Sequence, residues 1–191
     1  MRWRRDYYYR KAKKEGYRSR ASYKLKQINE RFGVIGESDD VLDLGCAPGG
    51  WLQVARELTQ GKVVGIDLQE VEPIEGVLTI KGDIRDERCI EEIRKYVHEF
   101  DVILSDASPN LSGNWSYDHA RSIDLALSAL KIAENLLKPG GKMVMKVFQG
   151  ELFEEFMREF RSRFRKVWLH SPKASRKRSA EIYVIGKGFR K

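Results

Sequence analysis

Cysteine and histidine are scarce in this sequence, and their scarcity excludes two kinds of site. The chain has two cysteines and three histidines among 191 residues. None of them stand at the short spacings that metal-ligand clusters use. Two cysteines are also too few for the disulfide framework of a small secreted domain. We therefore expect neither a metal site nor a disulfide-stapled fold.

Long apolar runs are missing as well. No stretch approaches the roughly 18 residues that a membrane span requires, and the basic residues 1–5 lead into no apolar segment of a signal peptide. The composition, 41% hydrophobic and 34% charged, is that of a globular protein. These observations predict one cytoplasmic, monomeric α/β domain over residues 1–191, in which residues 1–20 form a basic and aromatic N-terminal extension.

Acidic residues are rare at both ends of the chain. Residues 1–26 contain eleven Lys and Arg residues and two Asp and Glu residues, and residues 161–191 contain eleven basic residues and one acidic residue. Residues 27–160 contain fourteen basic and twenty-five acidic residues. Two basic ends that meet in space would form the positive face that a nucleic-acid partner needs. The extension also interleaves aromatic rings with cations, which suits RNA because rings stack on bases and cations hold phosphates. Two solvated tails are the alternative.

Residues 41–51 carry the first functional signal, V-L-D-L-G-C-A-P-G-G-W. The apolar start predicts a strand buried on both faces, the glycines predict a sharp loop, and Trp51 opens a helix. Glycines permit close approach of a ligand, and the free N–H groups of a helix start attract one. Because Gly45 is not followed by the second glycine of the dinucleotide fingerprint, we expect a cofactor without a pyrophosphate. A strand-to-helix turn without a ligand is the alternative.

Apolar runs and helical periodicity alternate along the chain. The runs predict seven strands, at residues 41–44, 62–67, 77–80, 101–105, 142–148, 166–170 and 181–185. The periodic segments predict helices that start at residue 22 and stop at residue 33, and at residues 51–58, 90–97, about 122–137 and 152–160. The last two strands are expected to form a hairpin around the basic loop 172–178. This alternation predicts a doubly wound, seven-stranded, mostly parallel sheet with an antiparallel last strand, as in class I (Rossmann-like) methyltransferases.

Charged residues stand at the ends of these strands or inside them. Asp67 lies 22 residues after Gly45, the spacing of a carboxylate that reaches ribose hydroxyls. Asp83 and Asp106 follow two further strands and are expected at the same edge. Lys146 sits inside the fifth strand, where a lysine is costly unless it is used.

Five motifs give the sequence a specific resemblance. They are R-S-R-A-S-Y-K-L at 18–25, D-L-G-C-A-P-G-G-W at 43–51, S-D-A-S-P-N-L-S-G at 105–113, K-V-F-Q-G at 146–150 and S-R-K-R-S-A-E-I-Y at 175–183. Together they resemble the FtsJ/RrmJ family of ribosomal RNA ribose 2′-O-methyltransferases. The similarity runs from about residue 16 to the end and leaves out the basic aromatic N-terminus.

The resemblance implies a set of site residues and a substrate. The family's catalytic Lys-Asp-Lys-Glu tetrad falls on Lys24, Asp106, Lys146 and Glu181. S-adenosylmethionine is the implied cofactor, bound by Gly45, Gly49, Gly50, Trp51, Asp67, Asp83 and Asp106. The implied substrate is a uridine of large-subunit ribosomal RNA, free or within the large ribosomal subunit. Cys46 departs from the alanine common in relatives, and both side chains are small.

Elementary chemistry agrees with this interpretation. Methyl transfer from a sulfonium is an in-line displacement, so the hydroxyl must be positioned and its proton removed. Lys146 could accept that proton if burial and Lys24 favoured its neutral amine, whereas nearby carboxylates favour the ammonium. A buried network of ion pairs without chemistry is the alternative for these four residues.

Other functions would share parts of this pattern. An mRNA cap or tRNA ribose 2′-O-methyltransferase would carry the same four charged residues, and a non-catalytic RNA-binding ribosome assembly factor would bind RNA without methyl transfer. The segment S-D-A-S-P-N at 105–110 lacks the N/D-P-P-Y/F motif of amino-directed methyltransferases and the cysteine nucleophile of C5-pyrimidine enzymes. Both of those classes are therefore disfavoured.

Overall fold

The structure is a computed structural model that describes residues 7–176 and 179–191. The helices in these ranges are α1 (Tyr7–Glu15), α2 (Ser22–Phe32), α3 (Gly50–Leu58), α4 (Arg88–Arg94), α5 (Trp115–Leu136) and α6 (Phe153–Arg163). The strands are β1 (Val41–Leu44), β2 (Val63–Asp67), β3 (Val77–Lys81), β4 (Phe100–Ser105), β5 (Leu137–Phe148), β6 (Phe164–His170) and β7 (Glu181–Phe189). No helix in the described ranges is both long enough and apolar enough to cross a membrane.

All seven strands form one sheet in the order β3-β2-β1-β4-β5-β7-β6. Strands β1 to β5 pair in parallel, whereas β7 runs antiparallel between β5 and β6. The doubly wound, mostly parallel sheet with an antiparallel last strand is thereby confirmed. The chain passes from β1 to β2 on one side and returns to β4 on the other, so a crevice opens at the carboxyl ends of β1 and β4.

Apolar side chains cover both faces of the sheet. One buried cluster joins the sheet to α4, α5 and α6, and a second joins it to α2 and α3. In β1, Leu42 and Leu44 belong to the first cluster and Val41 to the second. This is the alternation expected of a strand, whose successive side chains point to opposite faces. Burial on both faces explains the continuous apolar runs in the sequence.

Helix α1 lies in the N-terminal extension and packs against the body of the protein. Ala12 is buried with Tyr23 and Ala174, and Tyr8 and Tyr17 pack on the same cluster. Residues 7–20 therefore do not form a solvated tail, and the basic ends do meet in space, since the second one contributes Ala174. Residues 1–6 of the extension, and residues 177 and 178 of the basic loop, lie outside the described residues.

The two largest differences from the predicted boundaries are at the starts of α5 and β5. Helix α5 begins at Trp115 instead of residue 122, because its first two turns are polar and are started by Asn114, whose side chain accepts a hydrogen bond from the Tyr117 N–H. Strand β5 begins at Leu137 and passes through the Pro-Gly-Gly segment that predicted a stop. The pairing register with β4 shifts there, and Gly140 adopts a φ of 82°, so the strand absorbs these residues as an irregularity.

Candidate active site

A cavity of about 540 Å³ lies in the crevice at the carboxyl ends of the parallel strands. Its walls come from α5 and from the loops that follow β1, β2, β3 and β4, and they include Gly45, Asp67, Asp83 and Asp106. The structure thus brings together four of the residues predicted to bind a cofactor. The volume is within the range of pockets that bind small molecules and cofactors.

Gly45 and Asp67 shape the glycine loop at this cavity. Gly45 has a φ of 73°, and a Cβ placed on it would lie 2.7 Å from the Cβ of Ala107. Only glycine lets the loops after β1 and β4 approach this closely. The Asp67 carboxylate accepts hydrogen bonds from the N–H groups of Ala47, at 2.9 Å, and Gln69, at 2.8 Å. Asp67 therefore fixes the loop as well as lining the cavity.

Asp83 is paired within its own loop. Its carboxylate accepts hydrogen bonds from the Arg85 guanidinium, the shortest of 2.6 Å. The hydrogen bonds from Arg85 hold the pKa of Asp83 below its usual value despite partial burial. Asp83 is thus an ionised hydrogen-bond acceptor at the wall of the cavity.

Gly49, Gly50 and Trp51 lie at the start of α3, away from the lining of this cavity. A Cβ on Gly50 would lie 2.4 Å from the Ser19 hydroxyl oxygen. The absence of a side chain at Gly50 therefore allows the segment before α2 to pack closely against the start of α3. The buried Trp51 indole donates a hydrogen bond to the Ala21 carbonyl at 2.8 Å. These contacts give Gly50 and Trp51 a packing role, and the assignment of all three residues to cofactor binding stays a prediction.

Arg18 joins the glycine loop to the loop between β2 and β3. Its guanidinium donates hydrogen bonds to the carbonyl oxygens of Pro48, at 3.2 Å, Glu72, at 2.6 Å, and Pro73, at 2.8 Å. The R-S-R-A-S-Y-K-L motif therefore holds the cavity in shape as well as supplying Lys24. The sequence placed this arginine among the cations of the extension that were expected to hold RNA phosphates, whereas the structure bonds it to backbone carbonyl groups.

Asp43, inside β1, is a buried carboxyl group that sequence reasoning missed. Neither of its oxygens has a hydrogen-bond partner among the described residues. Burial raises its pKa well above the usual value, and the negative charges of Asp106 and Asp67 add to this effect. An acid inside the apolar run V-L-D-L was the available signal.

The four residues of the predicted tetrad lie in one chain of charges beside the cavity. The Lys24 Nζ is 3.3 Å from a Glu181 oxygen, and the Lys146 Nζ is 3.9 Å from the other Glu181 oxygen. Lys146 also lies 3.3 Å from an Asp106 carboxylate oxygen and donates a hydrogen bond to the Asp106 carbonyl at 2.8 Å. Both lysines are 9% exposed. Charges this deeply buried persist only when they are paired, as they are here.

The register of β5 and β7 produces this arrangement. Lys146 pairs with Tyr183, and Glu181 lies two residues before Tyr183 on the same side of β7. The Tyr183 hydroxyl donates a hydrogen bond to the Asp106 carboxylate at 2.6 Å, so it holds the acid that faces both Lys146 and the cavity. Burial, followed by the charge of Asp106, raises the pKa of Tyr183 far above its usual value. Sequence reasoning missed this tyrosine, although its period-two spacing from Glu181 was visible.

Glu181 shows how the network balances its charges. Burial alone would raise the pKa of this carboxyl group, but the two ammonium groups of Lys146 and Lys24 outweigh burial, and the pKa is lowered. The site therefore holds an ionised Glu181 carboxylate between two lysines. Such an arrangement can bind and orient a hydroxyl group and exchange a proton with it.

Comparison with known proteins decides the family. The model of the FtsJ-like methyltransferase family matches residues 17–189, which include all four charged residues and the cavity. The chain belongs to the FtsJ-like methyltransferase family. The resemblance seen in the five motifs is thereby confirmed, and so is the expectation of a methyltransferase.

Curated relatives of this FtsJ-like chain cover nearly all of it. Ribosomal RNA large subunit methyltransferase E of Methanosarcina barkeri is 63% identical over 188 residues, which are 97% of this chain and 72% of the relative. The protein of the same name from Archaeoglobus fulgidus is 56% identical over the full length of both chains. A crystal structure described as a putative ribosomal RNA methyltransferase of Plasmodium falciparum has a TM-score of 0.82 at 30% identity, covering 91% of this chain and 98% of that one.

The FtsJ-like site has two parts, the cavity at the carboxyl ends of β1 to β4 and the charge network beside it. Asp106 belongs to both, since it lines the cavity and contacts Lys146. Among the described residues there is no group of three or more His, Cys, Asp or Glu side chains that could hold a metal ion.

Proposed function

We propose that this chain transfers a methyl group from S-adenosylmethionine to the ribose 2′-hydroxyl of a uridine in large-subunit ribosomal RNA. The observation that supports this most strongly is the buried Lys24–Glu181–Lys146–Asp106 network at the edge of the cavity. A ribose hydroxyl is a weak acid, so its reaction requires a group that positions it and takes its proton. The substrate follows from relatives named for ribosomal RNA.

The cavity suits a nucleoside cofactor that carries a positive charge and no pyrophosphate. Asp67 stands where a carboxylate can accept hydrogen bonds from ribose hydroxyls, and Asp83 is an acceptor for an exocyclic amine. Asp106 offers a carboxylate at the wall of this cavity, whereas burial raises the pKa of Asp43 and favours its neutral form. When bound, S-adenosylmethionine supplies a methyl group activated by a sulfonium.

Lys146 is the residue placed to act on the acceptor hydroxyl. Its Nζ has two carboxylates within 4 Å, and both hold it in one position. The geometry supports two roles: the amine takes the hydroxyl proton, or the ammonium orients the hydroxyl while the proton leaves through Asp106 or water. Lys24 and Glu181 position Lys146 and the ribose in either role. All four side chains belong to one chain, so a monomer suffices.

The test is a map of ribose 2′-O-methylation across total RNA from cells with and without the protein. We expect one or a few large-subunit sites to lose their methyl group, and purified protein to restore it. Cells that express only the Lys146→Ala variant serve as the matched control for RNA binding without chemistry. If the methylation signal is confined to mRNA caps or tRNA, that RNA is the substrate instead of large-subunit ribosomal RNA. If the protein binds RNA but transfers no methyl group, the result would indicate a non-catalytic ribosome assembly factor.

A further inference from the structure

Trp115, the first residue of α5, is an aromatic side chain that the reaction described above does not use. Its indole lies nearly parallel to the Phe148 ring, with centroids 5.9 Å apart and planes at 16°. It lies nearly parallel to the His119 ring as well, at 6.1 Å and 19°. Both of these partners are buried, whereas Trp115 is 48% exposed. The indole is therefore held in one orientation while half of the residue faces solvent.

The start of α5 is tied down on both sides of Trp115. On the loop side, the buried Asp118 carboxylate accepts hydrogen bonds from the Ser112 N–H and hydroxyl, both at 2.8 Å, and from the Gly113 N–H. On the other side, His119 Nε2 accepts a hydrogen bond from the Leu152 N–H at 3.0 Å. An aromatic surface that is already ordered loses little entropy when a ligand stacks on it.

The position of Trp115 links it to the acceptor side of the active site. Its partner Phe148 lies two residues after Lys146 in β5, about 7 Å along the strand. Phe148 also pairs with Glu181 across β5 and β7. In addition, the loop that leads to Trp115 lines the cavity through residues 106–110. The exposed indole therefore borders the place where the acceptor ribose must lie.

We infer that Trp115 stacks on the nucleobase of the nucleotide whose ribose is methylated. This inference rests on the proposed function. A ribose carries its base on the carbon next to the 2′-carbon, so a ribose held at Lys146 and Glu181 must place a base within a few ångströms of the network. Unpaired bases are commonly held by aromatic side chains, and the indole has a large face for stacking. Stacking tolerates every base, so Trp115 positions the nucleotide and does not select it.

The test compares Trp115→Ala and Trp115→Phe with the control Tyr96→Ala. Tyr96 is also an exposed aromatic residue, at 51%, but it lies beyond α4 at the opposite end of the sheet. The substrates are a large-subunit RNA fragment that contains the mapped site and the same fragment with the target base removed and its ribose kept. We measure RNA affinity by fluorescence anisotropy and methylation in a single turnover.

On the intact fragment, Trp115→Ala should lower the affinity or the single-turnover rate by about 5- to 150-fold, the loss typical of one base–aromatic stack. Trp115→Phe should recover most of the loss, Tyr96→Ala should show none, and cofactor affinity should be the same in all variants. On the abasic fragment, the wild-type protein should show the same loss and Trp115→Ala should add almost nothing to it. Such non-additivity is the signature of two groups in contact.

An equal effect of Trp115→Ala on both fragments would overturn the inference, because the indole then does not contact the target base. So would an effect that Tyr96→Ala shares. Failure of the proposed function has a different signature, since the wild-type protein would then methylate neither fragment. In that case the anisotropy measurements alone still test the stack. If Trp115→Ala also leaves the affinity for the intact RNA fragment unchanged, the inference is overturned, and the exposed indole contacts another partner, such as a protein.

Discussion

At the scale of single residues, the site depends on two buried ammonium groups whose charge is compensated by neighbours. Glu181 lies between Lys24 and Lys146, and Asp106 compensates Lys146 from the other side. Removing one partner from a buried pair leaves an uncompensated charge, which costs more than the pair contributes. Substitutions that keep the charge are therefore the most informative ones at this site.

We expect Lys146→Ala to lower the single-turnover methylation rate by about 10²–10⁴-fold, the usual contribution of a general base. Cofactor and RNA affinity should stay near wild type, because Lys146 does not line the cavity and is too deeply buried to belong to the exposed basic surface. Lys146→Arg should fail nearly as badly if Lys146 takes the proton, since a guanidinium keeps the charge and does not release its proton in proteins. Nearly full activity in Lys146→Arg would show that the residue acts by its charge alone.

Asp43 provides a test through the pH dependence of stability. Its pKa is raised in the folded state, so the protonated form is favoured there and stability is lost as the pH rises through that pKa. Asp43→Asn removes this loss. We expect the variant to unfold at an equal or higher temperature than wild type at pH 7, with the difference shrinking toward pH 4. For a chain of this length, 1 kcal/mol corresponds to roughly 2–4 °C.

Asp101 is the matched control for this measurement, because its pKa is lowered in the folded state whereas that of Asp43 is raised. Burial works against its charge, but Lys138, whose Nζ donates to it at 2.8 Å, lowers its pKa. Asp101→Asn should therefore destabilise the protein at pH 7, and the difference should fade as the pH falls below about 4. Calorimetric scans of the cofactor-free protein from about pH 2 to pH 8 give both trends. If Asp43→Asn instead loses stability as the pH rises, the carboxylate is needed in its charged form.

The sequence was informative about residues that stand in motifs and less so about residues that act through packing. Lys146 and Asp106 could be singled out because a lysine inside a strand and an acid at a strand end are unusual. The role of Asp43 as an unpartnered acid depends on what surrounds it, and an apolar run with one acid does not reveal whether that acid is paired. The motif did not reveal the packing role of Trp51, whose indole donates a hydrogen bond to the Ala21 carbonyl, and its role in cofactor binding stays a prediction.

At the scale of secondary-structure elements, α1 shows how the basic N-terminus is presented. Its buried residue Ala12 faces the body, while Arg10, Lys13 and Lys14 are exposed. The helix therefore presents these cations to solvent on the side that faces away from the body of the protein. It packs beside residue 174, so the two basic ends of the chain form one region.

We expect the triple variant Arg10→Gln/Lys13→Gln/Lys14→Gln to bind RNA more weakly and with a flatter salt dependence. Each lost phosphate contact should reduce the slope of log affinity against log salt by about 0.7 for single-stranded RNA. The control is Arg88→Gln/Lys95→Gln/Lys131→Gln, which removes as many exposed cations on and near α4 and α5. Equal slopes for the two variants would mean that α1 does not touch RNA. Cofactor affinity should change in neither.

The element boundaries that the sequence predicted poorly have local physical causes. The first turns of α5 carry polar residues bonded to the preceding loop, so apolar periodicity begins only later in the helix. Strand β7 runs four residues past the prediction because Gly186 and Gly188 interrupt its apolar pattern. A Cβ on Gly186 would lie 2.6 Å from the Phe164 ring, so close packing explains that glycine.

At the scale of the whole molecule, the fold could be predicted because strands and helices alternate with short connections, which leaves few possible topologies. The sequence did not show whether the two basic ends meet, and their meeting was only a condition for the predicted positive face. It depends on contacts between residues far apart in sequence, such as the Gln27 side chain accepting from the Ala174 N–H at 3.0 Å. Periodicity carries no information about such contacts.

Binding of S-adenosylmethionine should stabilise the whole protein. A ligand at 100 times its Kd contributes about 2.7 kcal/mol, which corresponds to roughly 5–11 °C in Tm for this length. NAD at the same concentration should leave Tm unchanged, because the glycine loop lacks the pyrophosphate fingerprint. Asp67→Asn keeps an acceptor for the Ala47 N–H but not the charge, and should weaken cofactor binding by about 10- to 150-fold in calorimetric titration. A Tm that does not rise with S-adenosylmethionine would contradict the assignment of the cavity.

The position of β7 between β5 and β6 also matters while the protein is being synthesised. Strand β6 is synthesised before β7, and β7 is its only neighbour among the strands of the described residues. Strand β6 therefore leaves the ribosome before its pairing partner has been made. Until β7 arrives, Val167, Trp168 and Leu169 form an unpaired apolar edge of the kind that aggregates. Arg165 and Lys166 stand directly before this segment, and their charges oppose association with other nascent chains.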